Sequence, residues 1–397
     1  MSLHSRRRIL KSAAGGGTAG IAGCLIRTES GYSCSEGRSQ HSSDVALNQE
    51  ASWPMSHYDA ANTGHNPDAS GPKTEVKTAW RYRSCTGASS GIVVSNGQVY
   101  TGGITLDGRT GENLHGDRNP QSTDPTVANG TVYYTGYGLE ASGANQWSFQ
   151  PDGNKGIFPT PVVSNKTVYV PGSNSTLYAV NANSGTKKWE FETDGRIETT
   201  PAVLNSVVYI VDKTNTLYAV SADTGEKRWQ VSQGTECWRC PPAVANDRVF
   251  LGSWDGEIRA IHTADGTTAW QRTDGIKFRI RGPVAVTEQI VLATGDRGEV
   301  IALDATTGQT KWLRDTNTAN LASPVIVDDV VYVSDSPKST TGKIFAFTAA
   351  DGEELWRFET REISFGDHDQ AGTFGPVVVD GAVYVSTTGR EVYALIE

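Results

Sequence analysis

Several things are missing from this sequence, and each absence removes a class of function. There is no Gly-rich loop opening a helix to cradle phosphates and no His-Glu-x-x-His to hold a catalytic zinc. Cysteines number five in 397 residues, no two of them adjacent. Cys237-Trp-Arg-Cys240 has the spacing of half a zinc site, but no second Cys-x-x-Cys completes it. No apolar run is long enough to cross a bilayer: the stretch from Ser12 to Gly23 is short and rich in glycine. Positive charge is also scarce. Lys and Arg total 35 against 44 Asp and Glu, a net charge of −9, so the chain is a poor general ligand for nucleic acid phosphates.

What is present is a repeat. The stretch from Thr200 to Val231 reads as four short β-branched and aromatic runs broken by turn residues, the pattern of four antiparallel strands. Its last turn carries the phrase Ala-x-x-x-x-x-Gly-x-x-x-Trp, found at Ala179–Trp189, Ala219–Trp229, Ala260–Trp270, Ala302–Trp312 and Ala346–Trp356. Weaker copies run from Tyr137 to Trp147 and from Thr105 to His115, the latter with His in the Trp place. Pro161, Pro201, Pro242, Pro283 and Pro324 open successive units 40, 41, 41 and 41 residues apart. Proline is tolerated at the first residue of a strand, and an invariant turn glycine fits a positive φ. A period near 40 with four strands per unit predicts a β-propeller blade.

Eight second strands carry a Val-Tyr-like pair: Val99-Tyr100, Val132-Tyr133, Val168-Tyr169, Val208-Tyr209, Val249-Phe250, Ile290-Val291, Val331-Tyr332 and Val383-Tyr384. The fold class is therefore all-β, an eight-bladed propeller of four-stranded antiparallel blades. The eighth unit stops before its Trp strand, while the segment from Thr78 to Arg83 is a Trp strand with no blade before it. The expectation is that this N-terminal strand completes the last blade and closes the ring, removing an exposed sheet edge. Trp80, Trp147, Trp189, Trp229, Trp270, Trp312 and Trp356 are expected to dock between blades, each indole N–H bonded to a neighbour.

Ahead of the repeats, Ser5-Arg-Arg-Arg-Ile-Leu-Lys11 and the weakly apolar run after it resemble a twin-arginine export signal. Ile21-Ala-Gly-Cys24 resembles a lipobox, which implies lipidation of Cys24 and anchoring at the outer face of the cytoplasmic membrane. Residues 1–23 are thus expected to be removed, taking Arg6, Arg7, Arg8 and Lys11 with them and leaving 31 basic against 44 acidic side chains. Residues 24–52 are polar, Ser-rich and without period, and read as a flexible tether to a propeller over 53–397.

Ala302-Leu-Asp-Ala-Thr-Thr-Gly-Gln-Thr-Lys-Trp312 resembles the tryptophan-docking repeat of the PQQ-like (quinoprotein-type) propeller family. The lead-in Trp53-Pro-Met-Ser-His-Tyr-Asp-Ala-Ala-Asn-Thr-Gly64 is similar to the segment preceding such propellers. The resemblance covers residues 53–397 and is specific for the fold, but it implies two activities. The BamB type of lipoprotein binds proteins and carries no quinone. The dehydrogenases hold PQQ between a Trp and a vicinal disulfide, with Ca²⁺ on Glu, Asn and Asp and a further Asp as base. This sequence has no adjacent Cys pair and almost no insertions between its repeats.

Departures from the repeat point to the functional surface. The loop leading into blade five holds Cys237, Trp238, Arg239 and Cys240, and its second loop holds Trp254 and Asp255. Around blade six lie Lys277, Arg279, Arg281 and Asp296-Arg297. Propeller geometry puts these loops on one face, where Trp and Arg are common interface anchors, and they are the expected partner or anionic-ligand surface. In an exported protein Cys237 and Cys240 are expected to form a local disulfide. Spacing leaves Cys34 and Cys85 open. The long loop before blade eight contains Asp367-His368-Asp369, candidates for an acid–base pair or metal ligands over the channel.

The expected function is a monomeric, exported, lipid-anchored scaffold or recognition module. It would bind other extracytoplasmic or membrane proteins, with no cofactor and no metal, because fold alone does not supply chemistry. The alternative is a PQQ- and Ca²⁺-dependent dehydrogenase of alcohols or sugars with Asp367 or Asp369 as base.

Overall fold

The computed structural model describes residues 40–48, 50–84, 90–115, 124–135, 139–151, 159–234, 236, 240–273, 276–280, 282–335, 341–361 and 373–397. All regular structure among them is β, arranged as eight sheets. In chain order the blades are blade 1 (93–107), blade 2 (126–149), blade 3 (162–192), blade 4 (202–232), blade 5 (243–272), blade 6 (285–315), blade 7 (325–359) and blade 8 (377–396). Each is a meander whose strands pair in sequence order. The fold is an eight-bladed antiparallel propeller.

Blade 4 shows why the sequence makes such a unit. Its strands are Ala202–Leu204, Val207–Val211, Thr216–Ser221 and Lys227–Ser232. The second strand is buried at every position because blades pack on both its faces, so it reads as a continuous apolar run. The fourth alternates exposed and half-buried, as an outer strand should. Asn205 and Ser206 both take positive φ (50° and 57°), the two-residue hairpin conformation that matches the strand twist.

The repeat phrase is a docking device between neighbours. Trp229 donates its indole N–H to the Thr263 carbonyl of blade 5 at 2.9 Å, and its ring lies against Gly266. Gly266 has a φ of +77°, and a Cβ there would stand 2.8 Å from the indole, so both backbone and space demand glycine. The same seat recurs at Gly185 under Trp147, Gly225 under Trp189, Gly308 under Trp270 and Gly352 under Trp312. A second-strand tyrosine often shares the acceptor: Tyr169 and Trp189 both donate to the Ala222 carbonyl, their rings 5.8 Å apart. In blade 6 the residues in this register are Val291-Leu292, one place beyond the pair expected from sequence, because Leu292 faces Ala302 as Tyr209 faces Ala219.

Blade 8 draws on both ends of the body. Lys77–Arg83 pairs antiparallel with Glu391–Ile396, Trp80 beside Ala394, and fully buried Trp80 donates to the Gly108 carbonyl of blade 1 at 3.0 Å. Gln40–His41 adds a short strand outside it. Val45 and Leu47 are buried in the same apolar cluster, and the Val45 N–H donates to the Arg109 carbonyl. The polar composition of residues 24–52 suggests a tether throughout, yet 40–48 belong to the body. Their two apolar side chains and paired backbone anchor them there. Residues 1–39, including Cys24, lie outside the described residues.

The lead-in 53–64 forms an axial strap. Trp53 exchanges backbone hydrogen bonds with Val94 of blade 1, and Pro54 accepts from Val127 of blade 2. Ala60, Ala61, Thr63 and Gly64 then accept from Val203, Val244, Val286 and Ile326 of blades 4 to 7. The donors occupy equivalent places in the innermost strands, whose outer ladder positions would otherwise be bare. Buried Asn62 clips the Pro201 and Pro242 carbonyls together through its side-chain amide, at 2.8 and 3.0 Å.

Candidate functional site

The rim between blades 5 and 6 gathers the predicted partner-binding residues that are described. The stretch from Ile276 to Ile280 runs as an extended segment into blade 6. Ile276, Phe278 and Ile280 are buried while Lys277 and Arg279 are exposed, so alternation alone turns both cations outward. The segment is pinned: Ile280 N–H donates to the Ser253 carbonyl, and Arg279 and Asp296 exchange N–H bonds, one to carboxylate and one to carbonyl. The Arg279 guanidinium lies 5.9 Å from the centre of half-buried Trp254, a cation–π distance. Trp254 itself is held by its backbone N–H on the Glu236 carbonyl and by apolar packing with blade 5. Asp255 is exposed at the loop tip.

Arg297, expected on this surface from the sequence, belongs to the same blade-6 side. It is exposed on the second loop of blade 6, its N–H on a Glu299 carboxylate oxygen at 3.2 Å. Trp238, Arg239, Arg281 and Cys237 lie outside the described residues, as do Asp367, His368 and Asp369. Cys240 is fully buried, with its sulfur 3.4 Å from the Ile280 carbonyl oxygen, which places it under the rim rather than on it.

The axis presents a different chemistry. His57 lies in the strap and keeps some contact with solvent, and burial pulls its pKa down to about 4, so it is neutral at pH 7. Burial raises the Asp59 pKa, opposed by the Thr63 N–H and hydroxyl, both 2.9 Å away. Among the described residues no three His, Cys, Asp or Glu side chains come together as metal ligands. The sequence also has no vicinal cysteines.

A second carboxylate stands out in blade 7. Asp335 is wholly buried; its Oδ1 accepts from the Lys343 N–H (2.9 Å) and the Thr373 hydroxyl (3.2 Å), while Oδ2 has no hydrogen-bond partner among the described residues. Burial pushes its pKa up to about 6. In blade 4 the equivalent Asp212 has Oδ2 satisfied by the Gly195 N–H and the Tyr218 hydroxyl. Register places Phe345 where Tyr218 stands, so blade 7 lacks that hydroxyl.

Comparison with known proteins places this geometry in context. A family model described as outer membrane protein assembly factor BamB matches residues 137–275, 233–316 and 254–396. Quinohemoprotein alcohol dehydrogenase from Comamonas testosteroni is 25% identical over 176 residues, 42% of this chain and 21% of that protein. BamB from Shewanella oneidensis is 25% identical over 170 residues, 40% of this chain and 41% of its own. The match thus spans about a fifth of the first relative's length and two fifths of the second's. The solved structure of the Comamonas enzyme superposes with a TM-score of 0.67 at 13% identity, covering 87% of this chain and 80% of that one, a likeness of fold.

Proposed function

The chain belongs to the PQQ-like β-propeller family described as outer membrane protein assembly factor BamB, and from that premise we propose that it is a non-catalytic scaffold binding other extracytoplasmic or membrane proteins. The observation that carries this reading is the strap. The innermost strands of six blades spend their axial N–H groups on the chain's own backbone from Trp53 to Gly64, so the axis is used for self-assembly and recognition is left to the rim. The twin-arginine-like segment and Cys24 fit an exported, lipid-anchored monomer, and the family's outer-membrane description supports an extracytoplasmic place. Cys237 and Cys240 fit a local disulfide there.

The rival reading is a PQQ- and Ca²⁺-dependent dehydrogenase with Asp367 or Asp369 as base, favoured by the 176-residue match to a quinohemoprotein alcohol dehydrogenase. One experiment separates the two. Purified protein is mixed with PQQ and Ca²⁺, and both the absorbance of bound quinone and dye-linked alcohol oxidation are followed. The scaffold reading expects neither; stoichiometric quinone binding with turnover would sink it. In parallel, a photo-crosslinking residue at Asp255 is expected to capture an envelope protein in cells.

A further inference from the structure

Resting on the scaffold reading, we infer that the rim patch of Trp254, Lys277, Arg279 and Arg297 binds an acidic, extended segment of a partner protein. The three cations are exposed, and among the described residues none of them faces a carboxylate at ion-pair distance. Several cations elsewhere are ion-paired: Lys73 to Asp328 and Asp329, Lys213 to Glu198, Arg361 to Glu391. The patch's own acids are turned to other work. Asp296 accepts the Arg279 N–H, and Glu299 accepts the Arg297 N–H. Exposed Glu236 and Asp255 lie on the blade-5 side, leaving the blade-6 side basic.

The presentation is rigid, which favours recognition over incidental charge. Burial of Ile276, Phe278 and Ile280 fixes the direction of Lys277 and Arg279, and Trp254 supports the Arg279 guanidinium from beneath. An arginine held by an aromatic loses less freedom on meeting a carboxylate, and its planar fork suits bidentate pairing. Two cations two residues apart on an extended segment match alternate side chains of an extended partner, about 7 Å apart. On a chain with net charge −9, such a patch selects against most of the protein's own surface and for an acidic stretch elsewhere.

The test is fluorescence anisotropy with the full-length protein and a labelled nonapeptide, (Asp-Phe-Glu)₃, with (Lys-Phe-Arg)₃ as its basic counterpart. The acidic peptide is expected to bind, more weakly as NaCl rises, because exposed charges are screened. A triple reversal K277E/R279E/R297E should weaken binding by roughly tenfold or more while circular dichroism and the melting midpoint stay unchanged. Reversing three other exposed cations, R109E/K166E/R196E, alters net charge equally and should leave binding intact. Equal loss in both triples, or loss in neither, overturns the inference. So does patch-dependent sedimentation with phosphatidylglycerol vesicles in the absence of peptide binding, which would assign the patch to lipid headgroups. Crosslinking at the rim without peptide binding removes this inference alone, whereas PQQ-dependent turnover removes the scaffold reading whatever the peptide does.

Discussion

Blades 4 and 5 and blades 1 and 2 meet by different means, and the difference separates two jobs of the repeat glycine. At the first seam Trp229 lies on Gly266 beside Tyr209, its ring 5.9 Å away, and bonds to the Thr263 carbonyl. At the second, the Trp place holds exposed His115, and a Cβ on Gly143 would meet the Gly130 carbonyl rather than an indole. Gly143 still has a φ of +98°. The turn thus needs glycine for its backbone even where no tryptophan uses the space. What joins blades 1 and 2 instead is a small apolar set, Val93, Val127 and Val132, and the strap. Asp124 accepts from the Ser56 hydroxyl at 2.9 Å and the Gly91 N–H at 2.6 Å, tying the strap to both blades.

If tryptophans carry the seams, the largest effect should come from the one that joins the ends of the body. Trp80 is fully buried, stacks near Tyr384 at 5.9 Å and donates to Gly108 across the blade 8–blade 1 seam. Trp80→Ala is expected to destabilise by about 4 kcal/mol, read as a lowered urea midpoint. A loss below about 1 kcal/mol would mean that strand pairing, not the indole, holds that seam.

Blades 4 and 7 offer the next comparison. Because the Asp335 pKa is raised in the fold to about 6 from 3.8, folding favours its protonated form. Its stabilising contribution is full below about pH 4, declines as pH rises through 6, and is gone above; the difference is about 3 kcal/mol. Lys343 opposes the shift. Urea midpoints measured from pH 4 to 7 should show this decline in wild type and a flatter profile in Asp335→Asn. Phe345→Tyr should supply the hydroxyl that serves Asp212 in blade 4 and recover about 1 kcal/mol at pH 7. Identical profiles for all three proteins would remove Asp335 from the account.

Much of this architecture was legible in the sequence because it is periodic. Strand runs, strand-opening prolines and the Gly–Trp spacing are local patterns, and their recurrence predicts the blades and the docking. Three features were hidden for a common reason. The strap makes contacts with six blades between 41 and 262 residues away, and nothing in Trp53–Gly64 records those partners. The docking of Val45 and Leu47 depends on two apolar residues within a polar stretch. The orphaned Asp335 oxygen reflects a Phe at a place where another blade has Tyr, visible only once register is known. Of the candidate site, Trp254, Lys277 and Arg279 stood out as breaks in the repeat. Arg297 stood out with them; what stayed hidden is the approach of Arg279 to the Trp254 ring, which depends on how loops of blades 5 and 6 meet.

The two jobs of glycine can be weighed directly. Gly308 and Gly234 have nearly equal φ, +72° and +69°. A Cβ on Gly308 would stand 2.6 Å from the Trp270 ring, whereas one on Gly234 meets nothing within 4 Å among the described residues. Gly234→Ala should therefore cost only the left-handed backbone penalty, about 1 kcal/mol. Gly308→Ala should cost about 2 kcal/mol more as the indole is displaced. Equal losses in thermal or urea midpoints would show that the seat under the tryptophan is not a packing constraint.

The smallest effect is expected where the repeat is already broken. His115 is exposed, and its backbone N–H is served by the Asn113 side chain at 3.2 Å. His115→Ala should change the unfolding midpoint by no more than about 0.5 kcal/mol. The sharper variant is His115→Trp. If the blade 1–2 seam merely lacks its indole, this change would add one and stabilise the protein by about 2 kcal/mol. The position of Gly143, with the Gly130 carbonyl where an indole would sit, argues that the seat has closed. His115→Trp should accordingly leave stability within about 0.5 kcal/mol of wild type. A gain of 2 kcal/mol would instead show that every blade pair keeps a place for tryptophan, and that the seams differ in one side chain rather than in how the blades meet.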